Sequence, residues 1–319
     1  MAIKQKRILI ILAIIIPVII LLGGLIFFAS RTSQTDIIAE KPNGCLGEMP
    51  VKNDLQVVEL RPGLSFHIDT GADFSTITEH DLAVLDSLGF KYERSFYPVI
   101  GRDGRGDVKF ETVRYTVTLP LYKWTVEPDS TGESKYECQY SDMNILHNVD
   151  FVPSRTGFSV LGIDFLENFK VEFRGNEKMI ALYFNTPKGY EHSTPLKPKK
   201  TFLNILTLSR RYYIEMMVDG DVNDYFLDTG IQHAFVKRPS DELTPGGKHI
   251  SNENIQSLRG KYPALVDPDG WLKIGEREGK AKIYYYDNDE ENYAVNMFNM
   301  FRNRDILLDF PGHTFCFSK

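Results

Sequence analysis

Two short segments of this chain carry residue types that do acid–base chemistry. FHIDTGADFSTIT (66–78) and YFLDTGIQHAFV (225–236) each set Asp-Thr-Gly after an apolar run. A single Asp-Thr-Gly is a turn at a strand end, supported by its own side chain. At roughly one in twenty per residue type, one unplanned copy arises in a few per cent of chains of this length, and two far less often. If the copies belong to similar halves, Asp69 and Asp228 meet at a pseudo-two-fold axis. Like charges in a partly buried site cannot both ionise, so the pair is expected to share one proton. Such a dyad can hold a water. The ionised member takes its proton as it attacks a carbonyl, and the protonated member donates to the developing oxyanion. Thr70 and Thr229 are expected to hydrogen-bond across the axis, and Gly71 and Gly230 to let backbone N–H groups reach the carboxylates.

The elements that must position these residues read as strands. From Asp54 onward, short alternating runs such as VRYTVTLPLY (113–122), KMIALYF (178–184), YYIEMMV (212–218) and AKIYYYD (281–287) predict an antiparallel β domain. One helix is expected from about Glu79 to Leu88, with Thr78 as N-cap and Gly89 as stop, and a second near Asn252 to Arg259. Residues 127–150 are polar and aperiodic and read as a surface insertion. Residues 185–200, with three prolines and four lysines, read as a linker between two lobes, 54–184 and 201–319. Two further echoes follow each Asp-Thr-Gly. LGIDFLENFKVEFR (161–174) aligns without gaps on NMFNMFRNRDILLD (296–309), and IGRDGRGDVKF (100–110) pairs with IGEREGKAKIY (274–284). A duplication accounts for all three.

The first lobe resembles the retropepsin-type (retroviral-like) aspartic proteases, and the whole chain looks like a single-chain, two-lobed form comparable to a covalently joined dimer of them. FHIDTGADFSTIT, VIGRDGRGDVKF, VLGIDFLENFKVEF and the second YFLDTG carry the resemblance. It implies a mainly β fold of two pseudo-symmetric β-barrel lobes, catalytic Asp69 and Asp228, a threonine grip from Thr70 and Thr229, and a peptide or protein substrate. It also implies a glycine-rich flap hairpin at Gly101 to Gly106 that closes over substrate, so that Gly101, Arg102, Asp103 and Gly104 join Ala72 and Asp73 as substrate-binding candidates. IGEREG (274–279) reads equally as a second flap or a solvated hairpin. Three departures stand out: Ile231 follows the second Asp-Thr-Gly, Ile163 follows Gly162, and Met297 stands where the repeat predicts a glycine matching Gly162.

The rest of the composition narrows the function. The chain has 319 residues and a formal net charge of -6, without a basic stripe for a phosphate backbone, so nucleic acid is not an expected partner. GRDGRG lacks the Gly-Lys-Ser/Thr of a phosphate loop, Ser65 lacks a nucleophile elbow, and no histidine set has metal-ligand spacing; neither cofactor nor metal is expected. His67 reads as a pocket-rim histidine, and Phe74, Phe165 and Phe235 as core or pocket residues alike. The three cysteines, Cys45, Cys138 and Cys316, form no zinc site and no disulfide framework. Residues 8–29 form an uncharged apolar run preceded by Lys4, Lys6 and Arg7; as a helix it reaches about 33 Å, enough to cross a hydrocarbon core. It reads as an uncleaved anchor rather than a signal peptide. Residues 1–31 are then stub and span and 32–53 a juxtamembrane linker, and the lobes lie outside the cytoplasm. The expected protein is a membrane-anchored aspartic endopeptidase, monomeric because one chain supplies both aspartates. The alternative is a catalytically silent, membrane-tethered binding module on the same fold.

Overall fold

A computed structural model describes residues 15–19, 21, 23–24, 36–52, 57–103, 107–128, 134–199, 211–218, 220–231, 235–237, 251–257, 260–285 and 293–318. The fold is mainly β. In chain order the first strands are β1 (Ile38–Ala39), β2 (Cys45–Lys52), β3 (Val57–Arg61), β4 (Leu64–Ile68), β5 (Thr76–Ile77), β6 (Tyr92–Arg102), β7 (Val108–Pro128), β8 (Ser134–Pro153), β9 (Val160–Leu161), β10 (Lys170–Arg174) and β11 (Met179–Tyr183). There follow β12 (Tyr190–Lys199), β13 (Arg211–Val218), β14 (Asp221–Leu227), β15 (Phe235–Lys237), β16 (Ser251–Ser257), β17 (Gly260–Ile274), β18 (Arg277–Tyr285), β19 (Tyr293–Val295), β20 (Ile306–Asp309) and β21 (Thr314–Ser318). Hydrogen bonds join all of them into one large mixed sheet.

The pairings repeat. β3 pairs β4, β4 runs parallel to β9, β5 runs parallel to β8, and β7 lies between β6 and β8. Ten strands later, β13 pairs β14, β14 runs parallel to β19, β15 runs parallel to β18, and β17 lies between β16 and β18. The two sets of repeated pairings, called lobes below, are joined by a six-stranded run ordered β2-β11-β10-β20-β21-β12, whose central pair sets Val171 opposite Leu308 and Phe173 opposite Ile306. Apolar residues fill both sides of this junction. Phe173 stacks on Phe298 with ring centroids 5.1 Å apart, and Leu307, Leu308, Phe315 and Phe317 are all buried. Burying such side chains is worth about 1.5–3 kcal/mol each, which makes the junction a core rather than a hinge surface.

Several sequence expectations are corrected here. The stretch read as a juxtamembrane linker contains β2, which enters the central sheet through Cys45–Pro50 and its own lobe through Val51 and Lys52. The stretch read as an interlobe linker contains β12, its counterpart, which pairs β21 and then β13. Its prolines are tolerated because each half of the strand is paired on one side only. The expected insertion at 127–150 is mostly β8, the second arm of a long hairpin with β7, whose polar side chains face solvent on a two-stranded ribbon. The expected helix near 252–259 is instead strand β16, paired along its length with β17. The expected helix after Thr78 forms as α1 (Glu79–Ser87), where the Thr78 hydroxyl accepts from the Asp81 N–H at 3.0 Å.

No helix among the described residues is long and apolar enough to cross a membrane. The run at 8–29 lies largely outside the described residues, and of it 15–19, 21 and 23–24 are helical.

Candidate active site at the lobe junction

Each Asp-Thr-Gly leaves the end of a strand, β4 in the first lobe and β14 in the second. The backbone of each aspartate is fixed by a neighbouring strand: Asp69 N–H donates to the Leu161 carbonyl of β9, and Asp228 N–H donates to the Val295 carbonyl of β19, both at 3.0 Å. The two loops then interlock. Thr70 N–H donates to Thr229 Oγ1 at 3.0 Å, and Thr229 N–H donates to Thr70 Oγ1 at 3.1 Å. Each hydroxyl in turn donates across the junction, Thr70 to the Leu227 carbonyl at 2.8 Å and Thr229 to the Ile68 carbonyl at 2.9 Å. Both threonines are buried, so every one of these groups needs its partner.

The carboxylates sit on this lattice, each against the other loop's glycine. A Cβ on Gly71 would lie 2.7 Å from Asp228 Oδ1, and one on Gly230 would lie 2.7 Å from Asp69 Oδ1. Only glycine allows the approach. Gly71 N–H donates to Asp69 Oδ1 at 2.8 Å and Gly230 N–H to Asp228 Oδ1 at 2.9 Å, with Ala72 N–H adding a bond to Asp69 Oδ1 at 3.2 Å. Asp69 is buried and Asp228 half-buried. Burial, then the negative charge of Asp228, hold the Asp69 carboxyl well above the usual carboxylate range against the pull of the two amides. Charged like this, the pair keeps a proton where an isolated aspartate has lost it, and one proton shared by two facing carboxyls can polarise a water between them.

The expected flap residues lie close by but are not free-standing. Gly101 and Arg102 end β6 and Asp103 follows it; Gly104 lies outside the described residues. A Cβ on Gly101 would come within 2.9 Å of both Asp73 and Phe74 side chains. Asp73 N–H donates to the Arg102 carbonyl at 2.9 Å, and Arg102 N–H donates to Asp73 Oδ2 at 2.8 Å. The hairpin end is thus latched to the buried Asp73, and Asp103, also buried, adds to the charge that raises Asp69.

The second lobe corrects two of the sequence echoes. Leu161 and Val295 occupy the same place, so the counterpart of Gly162 is Asn296 and not Met297; the gap-free alignment is one residue out of register. Asn296 is a site residue that the motifs did not reveal. Its Nδ2 donates to the Thr229 and Ile231 carbonyls at 3.1 and 2.8 Å, while its Oδ1 accepts from Phe298 and Asn299 N–H, capping the short helix α3 (Met297–Met300). An apolar pair followed by a capping residue and a short apolar run was the available signal. The counterpart of the β6–β7 hairpin is β16–β17, so residues 274–279 are not its repeat. They form the β17–β18 turn, where Gly275 packs on Thr194. Ile231 turns to the cluster of Tyr213, Phe226 and Ala294. His67 lies on β4 with its ring 4.4 Å from that of Phe158.

Among known proteins, no family model and no curated sequence matches this chain. Solved structures do. The chain is similar to basic 7S globulin from soybean (9% identity, TM-score 0.45, covering 89% of this chain and 95% of that one). It is also similar to conglutin gamma, a basic 7S globulin from lupine seeds (11% identity, TM-score 0.46, covering 88% and 95%). The resemblance to retropepsins is therefore corrected: these matches are seed globulins, and no retropepsin family model is matched. The motifs that carried the resemblance are turn-length segments. They specify how an aspartate loop is built and leave the surrounding sheet unspecified.

Proposed function

We propose that this protein is a two-lobed aspartic endopeptidase whose Asp69–Asp228 pair activates a water against a peptide carbonyl. The observation that supports it is the reciprocal cradle, in which each carboxylate rests against the other loop's glycine and each threonine hydroxyl anchors the other loop. Asp69, the more deeply buried partner, holds the shared proton and donates it to the developing oxyanion; Asp228 takes the proton of the attacking water. Ala72, Asp73 and the hairpin end at Gly101–Asp103 line the substrate side of the first loop. One chain completes the pair, so the working unit is a monomer. The apolar run at 8–29 tethers it to a membrane with both lobes outside the cytoplasm, where exported peptides reach it.

A second reading is a peptide-binding module without hydrolysis. It is favoured by Ile231, which follows the second Asp-Thr-Gly and packs on the cluster of Tyr213, Phe226 and Ala294, so the second loop departs from the first beside its aspartate. The test is incubation of the full-length chain in detergent with a diverse peptide mixture from pH 3 to 8, read by mass spectrometry, beside Asp69→Asn and Asp228→Asn. Cleavage abolished in both folded variants is the expected result. Peptide capture without cleavage at any pH, unchanged in Asp228→Asn, supports the binding module instead.

A further inference from the structure

Asn296 does more than brace the second loop. Its side chain is fully buried and makes four hydrogen bonds: Nδ2 donates to the Thr229 and Ile231 carbonyls, and Oδ1 accepts from Phe298 and Asn299 N–H. That uses the whole capacity of an amide. The two carbonyls lie on either side of Gly230. A peptide unit is planar and trans, so the C=O of Thr229 and the N–H of Gly230 point in opposite directions from one rigid plate. Asn296 Nδ2 holds the carbonyl side at 3.1 Å, and on the other side Gly230 N–H donates to Asp228 Oδ1 at 2.9 Å. The buried amide is thereby linked to the carboxylate through a single peptide.

Gly230 is the residue that most needs this hold. Without a side chain it has the widest choice of backbone angles, and it also abuts the other aspartate, since a Cβ there would lie 2.7 Å from Asp69 Oδ1. The first lobe ties its loop by backbone groups. Ile163 N–H, at the start of the short helix α2 (Ile163–Leu166), donates to the Ala72 carbonyl at 2.9 Å, and Gly162 N–H donates to Ser75 Oγ at 2.9 Å. Ala72 and Ile231 both follow their Asp-Thr-Gly, so a bond to that carbonyl is common to the two lobes. The bond to the Thr229 carbonyl comes from a side chain that glycine at 162 does not have.

We propose that Asn296 is a positioning residue of the aspartate pair, holding the Thr229–Gly230 peptide so that Gly230 N–H stays on Asp228 and Gly230 Cα stays against Asp69. The proposal rests on the peptidase reading for its functional meaning, while the linkage itself is a property of the loop. A donor on the carbonyl side polarises the peptide and strengthens its N–H as a donor to the carboxylate. Without that donor the peptide is free to turn, the charged form of Asp228 loses support, and the carboxyl keeps its proton to higher pH. The charge facing Asp228 across the junction is Asp69, on which Asp103 also acts. Among the described residues, helix α3 and the strand ends Phe226–Leu227 and Ala294–Val295 bring no titratable side chain to the loop. Substituting Asp69 therefore isolates the effect.

The experiment is ¹³C carboxyl titration of Asp228 in the full-length chain in detergent. It is done in Asp69→Asn, where the facing carboxyl no longer shares the proton, with and without Asn296→Ser. Serine still caps α3 but is too short to reach both carbonyls. The Asp228 midpoint is expected to rise by about half to one pH unit, which makes it an acid weaker by about three- to tenfold. Met297→Ala, which opens a cavity at the buried neighbour of Asn296 and lowers stability, is expected to leave the midpoint in place. If the serine variant does not fold, the Asn296 side-chain amide resonances of Asp69→Asn alone decide, and they are expected to follow the Asp228 midpoint. Where peptide hydrolysis is observed, Asn296→Ser with Asp69 intact is expected to lower kcat by about ten- to a hundredfold with little change in KM, and to move the acid limb upward. An Asp228 midpoint unmoved by Asn296→Ser, or Asn296 resonances that ignore it, overturns the proposal. Because titration needs no substrate, absence of hydrolysis sinks the peptidase reading alone.

Discussion

Replacing Thr229 by Val keeps the shape of the side chain and deletes one hydroxyl. That hydroxyl accepts from Thr70 N–H and donates to the Ile68 carbonyl, so its loss orphans a buried donor and a buried acceptor. At about 1–3 kcal/mol for each orphaned group, Thr229→Val is expected to destabilise the protein by about 2–6 kcal/mol. Thr70→Val strips Thr229 N–H and the Leu227 carbonyl and is expected to do the same. Because each loop is held by the other, the first deletion already lets them part, and the double variant should fall short of the sum by about 1 kcal/mol or more. Serine at either position keeps the hydroxyl and should stay within about 1 kcal/mol of wild type. Urea unfolding followed by fluorescence suits this case, because the chain has two tryptophans, Trp124 in β7 of the first lobe and Trp271 in β17 of the second. Both signals should move to lower urea together if the lattice joins the lobes. Valine variants within about 0.5 kcal/mol of wild type at both positions would refute the reasoning, since that is the range of ordinary surface substitutions.

Two further outcomes follow from the same geometry. The Asp69 carboxyl is raised in the folded state, so the fold binds more protons than the unfolded chain above about pH 4, and its stability falls as pH rises through the folded pKa; Asp69→Asn should remove that slope and be the more stable protein at pH 7, read from urea midpoints across pH. Gly230→Ala puts a methyl 2.7 Å from Asp69 Oδ1, which forces the loops apart by a few tenths of an ångström; a loss of about 1–3 kcal/mol in the same unfolding assay is expected, with about a hundredfold loss of any hydrolysis.

The aspartate pair was legible in the sequence because the interlocked loops need the same three residues twice, each threonine anchoring and each glycine admitting the other loop. Helix α1 was legible for a similar reason: Thr78 caps it and Gly89, at φ 85°, stops it, so its two ends are written locally. Strands β16 and β12 were not, because their placement is decided by what lies beside them. SNENIQS has no apolar alternation to mark it as the strand that its ladder with β17 makes it, and Tyr190–Lys199, with two prolines, becomes a strand where each half needs only one partner. The same limit explains the misplaced hairpin echo. Glycine with alternating charges suits any tight solvated turn, so residues 274–279 match 101–106 in composition while occupying the turn of a different strand pair.

The one-residue slip at Asn296 shows what a repeat conserves. Both lobes need an acceptor carbonyl for the aspartate N–H and a firm support behind the loop, and the first is met identically by Leu161 and Val295. The second is met by different means. The first lobe uses a glycine close enough to touch the loop backbone, with a serine and a carboxyl behind it, whereas the second uses one amide side chain that reaches both loop carbonyls and caps the helix. Matching Gly162 to another glycine therefore fails, because the shared requirement is a bond to the loop and not a residue type. The consequence reaches the pair itself. Asp69 is buried against its own loop amides, with the charge of Asp103 acting on it, while Asp228 keeps more contact with solvent, so two aspartates with the same flanking residues sit in different surroundings. How firmly Asp69 keeps its proton is then set by what surrounds it and not by the motif that carries it.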